Sequence, residues 1–144
     1  MTGRGGQRGA GSVVPPAALS GAAICVLNHY DLIGPPEAFG TAIAALAARV
    51  QAEGHPGLRG YRFYLNADAG RAQAVIDYAD AAAWIGHHDQ AMPWPEMRAL
   101  HAVARLAEIT FLGPVPPDIE AWLARSGLTA RLVRGYRPVA GFQR

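Results

Sequence analysis

Histidine is the side chain best suited to moving a proton near neutral pH, and this chain carries five: His29, His55, His87, His88 and His101. His87 and His88 are adjacent in a stretch with helical patterning. Neighbours on a helix point about 100° apart, so one ring is expected to face the interior and the other solvent. His87 follows Trp84 by three residues and His88 follows it by four, so each shares a flank with that indole. The inward ring is a candidate general base. The run His87-His88-Asp89 has the residue types of a metal site, but consecutive helical residues do not face one another, and no metal is assigned. His55, beside Pro56, reads as a loop residue, and His101 as a partly buried helix residue.

A second polar group closes the first apolar run. Asn28, His29 and Tyr30 follow Ile24-Cys25-Val26-Leu27. Alternation places Asn28 and Tyr30 on the side of Ile24 and Val26, with His29 on the other. Amide and phenol groups at the end of an apolar strand suit the mouth of a pocket, where they can orient a ligand oxygen. Tyr61, Tyr78, Trp84 and Trp94 could wall such a pocket. Each is also a natural core residue. Arg62 fits a solvated strand face.

These side chains must be held by regular elements. Ala22–Tyr30 reads as a buried strand. Pro36 suits the first turn of a helix whose Phe39, Ile43, Leu46 and Val50 share one face, and Gly54 suits its end. Leu58–Asn66 alternates and Arg71–Tyr78 follows a short turn, giving a hairpin. Asp80 can cap a helix to about Ala91. Pro93 breaks it, and Pro95 restarts a helix to about Ala104. Arg105–Leu112 reads as a strand, Pro117 opens a helix carrying Ile119, Trp122 and Leu123, and Leu128–Tyr136 as a final strand. The order β-α-β-β-α-β is the ferredoxin-like pattern, here with an added C-terminal helix and strand, in an α+β chain.

Composition narrows the function further. The 144 residues fit one domain. Residues 1–21, rich in Gly, Arg and Pro, are expected to be an unstructured tail, and 22–144 a single folded domain. All 13 basic residues are arginines. Two, Arg4 and Arg8, sit in the tail, leaving eleven against eleven Asp and Glu. The folded part is therefore neutral, which argues against a nucleic-acid surface. The absence of lysine excludes lysine Schiff-base chemistry. The lone Cys25 reads as a small buried apolar residue, and with no apolar run long enough to cross a membrane the expected compartment is the cytoplasm. Dinucleotide, phosphate-loop, C-x-x-C and H-E-x-x-H motifs are absent.

Several stretches resemble the antibiotic-biosynthesis-monooxygenase superfamily. Val75-Ile76-Asp77-Tyr78 followed by Ala79–His87 is similar to its third strand and Ala-x-x-x-His helix, here Ala83 to His87. Phe111-Leu112-Gly113-Pro114-Val115 and Val139-Ala140-Gly141-Phe142 resemble small quinol-monooxygenase-like members. Two features depart from the pattern: Met92-Pro93-Trp94-Pro95 replaces a second histidine, and Tyr78 stands where haem-degrading members have tryptophan.

The resemblance implies a homodimeric α/β barrel, with two four-stranded sheets packed face to face. It also implies cofactor-free oxygenation of an aromatic quinol or polyketide-like molecule, with O2 as co-substrate. His87 and Asn28 would be catalytic, and Tyr30, Tyr61, Tyr78, Trp84 and Trp94 would bind the substrate. A non-catalytic small-molecule-binding protein on the same fold is the alternative, and haem binding or degradation a further one.

Overall fold

The computed structural model describes residues 23–144. The tail expected over 1–21 lies outside the described residues. Among those described, strands β1 (Ile24–Leu32), β2 (Leu58–Asn66), β3 (Arg71–Tyr78), β4 (Ala104–Leu112) and β5 (Arg131–Tyr136) alternate with helices α1 (Pro36–Glu53), α2 (Ala81–Ala91), α3 (Pro95–Val103) and α4 (Pro117–Arg125). The sheet order is β2-β3-β1-β4-β5. β1 is antiparallel to β3 and β4, and β5 is parallel to β4. The ferredoxin-like α+β reading holds, with two differences. β1 runs two residues further than expected. The sheet of one chain has five strands rather than four, because α4 acts as the crossover that returns β5 alongside β4. Leu128–Ala130 join the loop that precedes β5, whose pairing begins at Arg131 against Glu108.

Local chemistry explains the boundaries. Prolines at the first turns of α1, α3 and α4 fix φ where no intrahelical N–H bond is needed. Asp80 caps α2, its carboxylate accepting from the Ala83 N–H at 2.8 Å. Gly70 closes the β2–β3 turn with φ +65°, a region open to glycine without steric cost.

Alternation then sorts the sheet. Ile24, Val26 and Tyr30 of β1, Ala72, Ala74, Ile76 and Tyr78 of β3, and Ile109 and Phe111 of β4 are buried against Phe39, Leu46 and Val50 of α1, Ala83 and Trp84 of α2, Met97 and Leu100 of α3, and Ile119 of α4. Cys25, Leu27 and His29 face the other way and are only half-buried, so Cys25 is not the enclosed apolar residue expected.

Candidate functional site

Register lays the expected site residues out in rows on the helix-facing side of the sheet. Tyr61, Ile76, Val26 and Phe111 are aligned across four strands. The next row holds Phe63, Ala74, Asn28 and Ile109. Two residues along a strand separate the rows, roughly 7 Å. Tyr30 sits one step further along β1. Above the first row lies α2, whose His87 packs edge-on against Tyr61 with ring centroids 5.5 Å apart and approaches Tyr78 at 6.1 Å.

His88 is not the solvent-facing partner that the helix angle suggests. It is half-buried, stacked on Trp84 at 3.9 Å and 29°, with Trp122 of α4 at 5.4 Å. The cause is the appended helix: α4 covers the flank of α2 that would otherwise meet water. Trp122 itself crosses Trp84 at 89° and donates its indole N–H to Asp89 Oδ1 at 2.9 Å. A carbonyl oxygen only accepts, so the 2.7 Å contact between His88 Nδ1 and the Trp84 carbonyl places the proton on Nδ1. His88 Nε2 is then the acceptor in the neutral ring.

Burial lowers both histidines, His87 to about 3 and His88 to about 4, and charge on His88 and His55 lowers His87 further. For His88, the hydrogen bond to Trp84 and the Asp89 charge act in the opposite direction but do not overcome burial. Both rings are thus neutral at pH 7. The same enclosure raises the phenols: Tyr30 to about 12, Tyr61 and Tyr78 well above the ordinary value.

Two buried polar atoms here have no hydrogen-bond partner: Asn28 Oδ1 and His87 Nδ1. The Asn28 amide nitrogen reaches the Tyr30 hydroxyl at 3.4 Å, a long contact. An unpaired buried polar atom costs about 1–3 kcal/mol, so two on one side of a sheet need a reason. A chain of aromatic contacts connects them: Tyr30 to Phe63 at 6.1 Å, Phe63 to Tyr61 at 4.8 Å, Tyr61 to His87 at 5.5 Å.

The structure therefore brings together Asn28, Tyr30, Tyr61, Tyr78, Trp84 and His87. It does not bring Trp94 to them. Trp94 is the N-cap residue of α3, and the Arg49 guanidinium of α1 lies 4.2 Å over its ring. His29 is on the opposite face, bonded to Gln73 at 3.1 Å.

His55, expected as a loop residue, has its ring wedged between two glycines. An ideal Cβ at Gly86 of α2 would stand 2.5 Å from His55 Cδ2, and one at Gly57 would stand 2.6 Å from the Ala83 Cβ. The Gly57 N–H donates to His55 Nδ1 at 3.0 Å, fixing the ring. Beside it a cavity of about 670 Å3, lined by His55, Arg59, Gln51 and Tyr61, opens between the end of α1 and β2. Tyr61 thus lines a surface cavity and also packs on the His87 ring. Trp84 and His87 are 1% and 3% exposed, so a ligand reaches His87 only if Tyr61 or its neighbours move.

Among the described residues no group of three or more His, Cys, Asp or Glu could hold a metal ion, and no helix is long and apolar enough to cross a membrane.

This fold is the one seen in antibiotic-biosynthesis-monooxygenase-type proteins. MupZ from Pseudomonas fluorescens superposes with a TM-score of 0.60 at 16% identity, over 85% of this chain and 90% of that one. SnoaB, a cofactor-independent oxygenase from Streptomyces nogalater, gives 0.51 at 18%, over 66% and 95%. A Bordetella bronchiseptica protein assigned as an antibiotic biosynthesis monooxygenase gives 0.50 at 16%, over 66% and 99%. No family model matches the chain, and no curated protein matches it.

Proposed function

We propose that this protein is a cofactor-independent monooxygenase that oxidises an aromatic quinol or polyketide-like molecule, with O2 as co-substrate. The observation that carries this reading is the pair of unpaired buried polar atoms, Asn28 Oδ1 and His87 Nδ1, joined by an aromatic wall. A phenolic substrate supplies the hydroxyl donors both atoms lack. The likeness to a cofactor-independent oxygenase adds support at the level of fold.

In this reading an anthrone-like substrate gives up a proton to His87. Its carbanion passes one electron to O2, and the radical pair joins as a carbon-bound hydroperoxide. Loss of water leaves a carbonyl. One oxygen atom ends in the product and one in water, and the four electrons come from the CH2 that becomes C=O. Protonated His87 is held by the anion beside it, because an adjacent negative charge offsets the burial penalty that lowers its pKa in the empty ring environment. Asn28 orients the phenolic oxygen, Tyr30 supports Asn28, and Tyr61, Tyr78 and Trp84 form the walls.

The protein would act in the cytoplasm as a homodimer, with the half-buried sheet face of Leu27 and Val75 as the contact between copies. Sedimentation of wild type against Leu27→Glu tests this, and a monomeric wild type at micromolar concentration removes it. The activity is tested by oxygen uptake with anthrones and naphthohydroquinones, autoxidation subtracted and no flavin or metal added. Saturable uptake supports the reading. Tight binding of the same compounds without uptake would instead favour a non-catalytic binding protein.

A further inference from the structure

A second depression lies away from the Asn28–His87 row, where the α2–α3 junction, the start of β4 and the loop before β5 meet. It measures about 520 Å3, within the range of about 300–1,000 Å3 that small-molecule sites occupy. Its lining is largely apolar: Ile33, Met92, Leu106, Trp122 and Leu128, with Arg105 and His101 at the edge. Ile33 and Met92, just past the ends of β1 and α2, are 63% and 39% exposed, two large apolar side chains that nothing among the described residues covers.

Trp122 is prepared for this surface. Its indole N–H is already bonded to Asp89 and its ring is fixed against Trp84 and His88. What remains for the depression is rigid aromatic carbon, which binds flat rings at little entropic cost. Charge gives the second half of the recognition. Asp31 lies between Arg105, at 2.5 Å, and Arg71, at 3.8 Å. One carboxylate between two guanidinium groups leaves a net positive charge at the Arg105 edge, and the fork retains N–H donors beyond the one spent on Asp31. Burial lowers His101, so the cationic character here belongs to arginine.

We infer that this depression binds a planar aromatic anion, a carboxylate or phenolate, with its ring on Trp122, Leu106 and Leu128 and its charge toward Arg105. The site is independent of oxygenase chemistry, and its test is an equilibrium measurement.

Isothermal titration of the full chain with 2-naphthoate and with its neutral isostere 2-naphthamide reads both halves. Naphthoate has no phenolic proton to lose, so the result does not depend on turnover. The expected result is saturable naphthoate binding about tenfold tighter than the amide, a difference of about 1.4 kcal/mol. Arg105→Gln, at an exposed position, should remove that difference. Thr129→Trp, also exposed and placed to fill the mouth, should weaken both ligands about tenfold or more with circular dichroism unchanged. No saturable naphthoate binding in the millimolar range overturns the site. So does naphthoate binding that neither variant alters. Equal affinities for acid and amide overturn the anion assignment.

Discussion

The carbonyl oxygen of Trp84 accepts the Nδ1–H of His88 at 2.7 Å while the two rings stack at 3.9 Å, so one residue sets the tautomer of the other and covers one of its faces. Trp122 of α4 closes the remaining side at 5.4 Å, and burial keeps the ring neutral in the fold.

The first prediction concerns pH. An unfolded histidine titrates near 6.5. His87 and His88 in the fold are lowered to about 3 and about 4, mainly by burial. Between those values the unfolded chain binds more protons than the native one, so stability rises with pH there. The contribution is fully present above about 6.5, is lost progressively as pH falls, and levels off near 3–4. With roughly 1.4 kcal/mol per pH unit per group, the two rings together contribute at most about 8 kcal/mol. Urea midpoints measured at pH 7.5, 6, 5 and 4 should decline steadily, and His87→Gln should flatten the decline. A midpoint unchanged from pH 7.5 to 5 would show that neither ring is held neutral.

The second concerns Gly86. Replacing a helical glycine with alanine ordinarily stabilises a protein by about 0.5–1 kcal/mol. Here the new methyl would meet the His55 ring at 2.5 Å, so Gly86→Ala should instead destabilise by roughly 1–3 kcal/mol. Adding His55→Ala should recover much of that loss, because the two sites share one contact. Thermal unfolding of both single variants and the double variant completes the cycle. Additive effects would mean the ring and α2 do not touch.

The third separates Trp94 from the site. Arg49 lies over the Trp94 ring and also pairs with Glu96 at 2.9 Å, tying α1 to α3. Trp94→Leu should lower stability by about 0.5–2 kcal/mol and leave oxygen uptake unchanged. A large fall in uptake with stability intact would put Trp94 back in the substrate pocket.

The fourth concerns the two unpaired polar groups. On a substrate that shows saturable uptake, His87→Ala should lower kcat by about 10²–10⁴, the range for losing a positioned base. Asn28→Ala should lower kcat less and raise KM. Both should be no less stable than wild type beyond the cavity they leave, since each removes an unpaired buried polar atom. Full turnover in both variants would remove them from the chemistry.

Much of the fold was legible in the chain. Local signals sufficed wherever one residue constrains its own backbone or its near neighbours. Proline at a first turn, Asp80 at a cap and strict alternation in Leu58–Asn66 each gave an element within a residue or two of the one observed. Alternation also placed Asn28 and Tyr30 on the helix-facing side of β1 and His29 on the other, because the strand period is two and no distant residue can change it.

What the chain alone left open depends on contacts between residues far apart in sequence. The enclosure of His88 requires α4, more than thirty positions away, to lay Trp122 against it. The wedge of His55 against Gly86 needs the loop after α1 and the middle of α2 to meet. The place of Trp94 under the Arg49 guanidinium depends on a residue of another helix. Sequence periodicity decided which side of each element is apolar. Only packing decided which histidine, indole or guanidinium each apolar side meets, because burial, charge and ring contact are properties of the assembled layers and not of any one stretch.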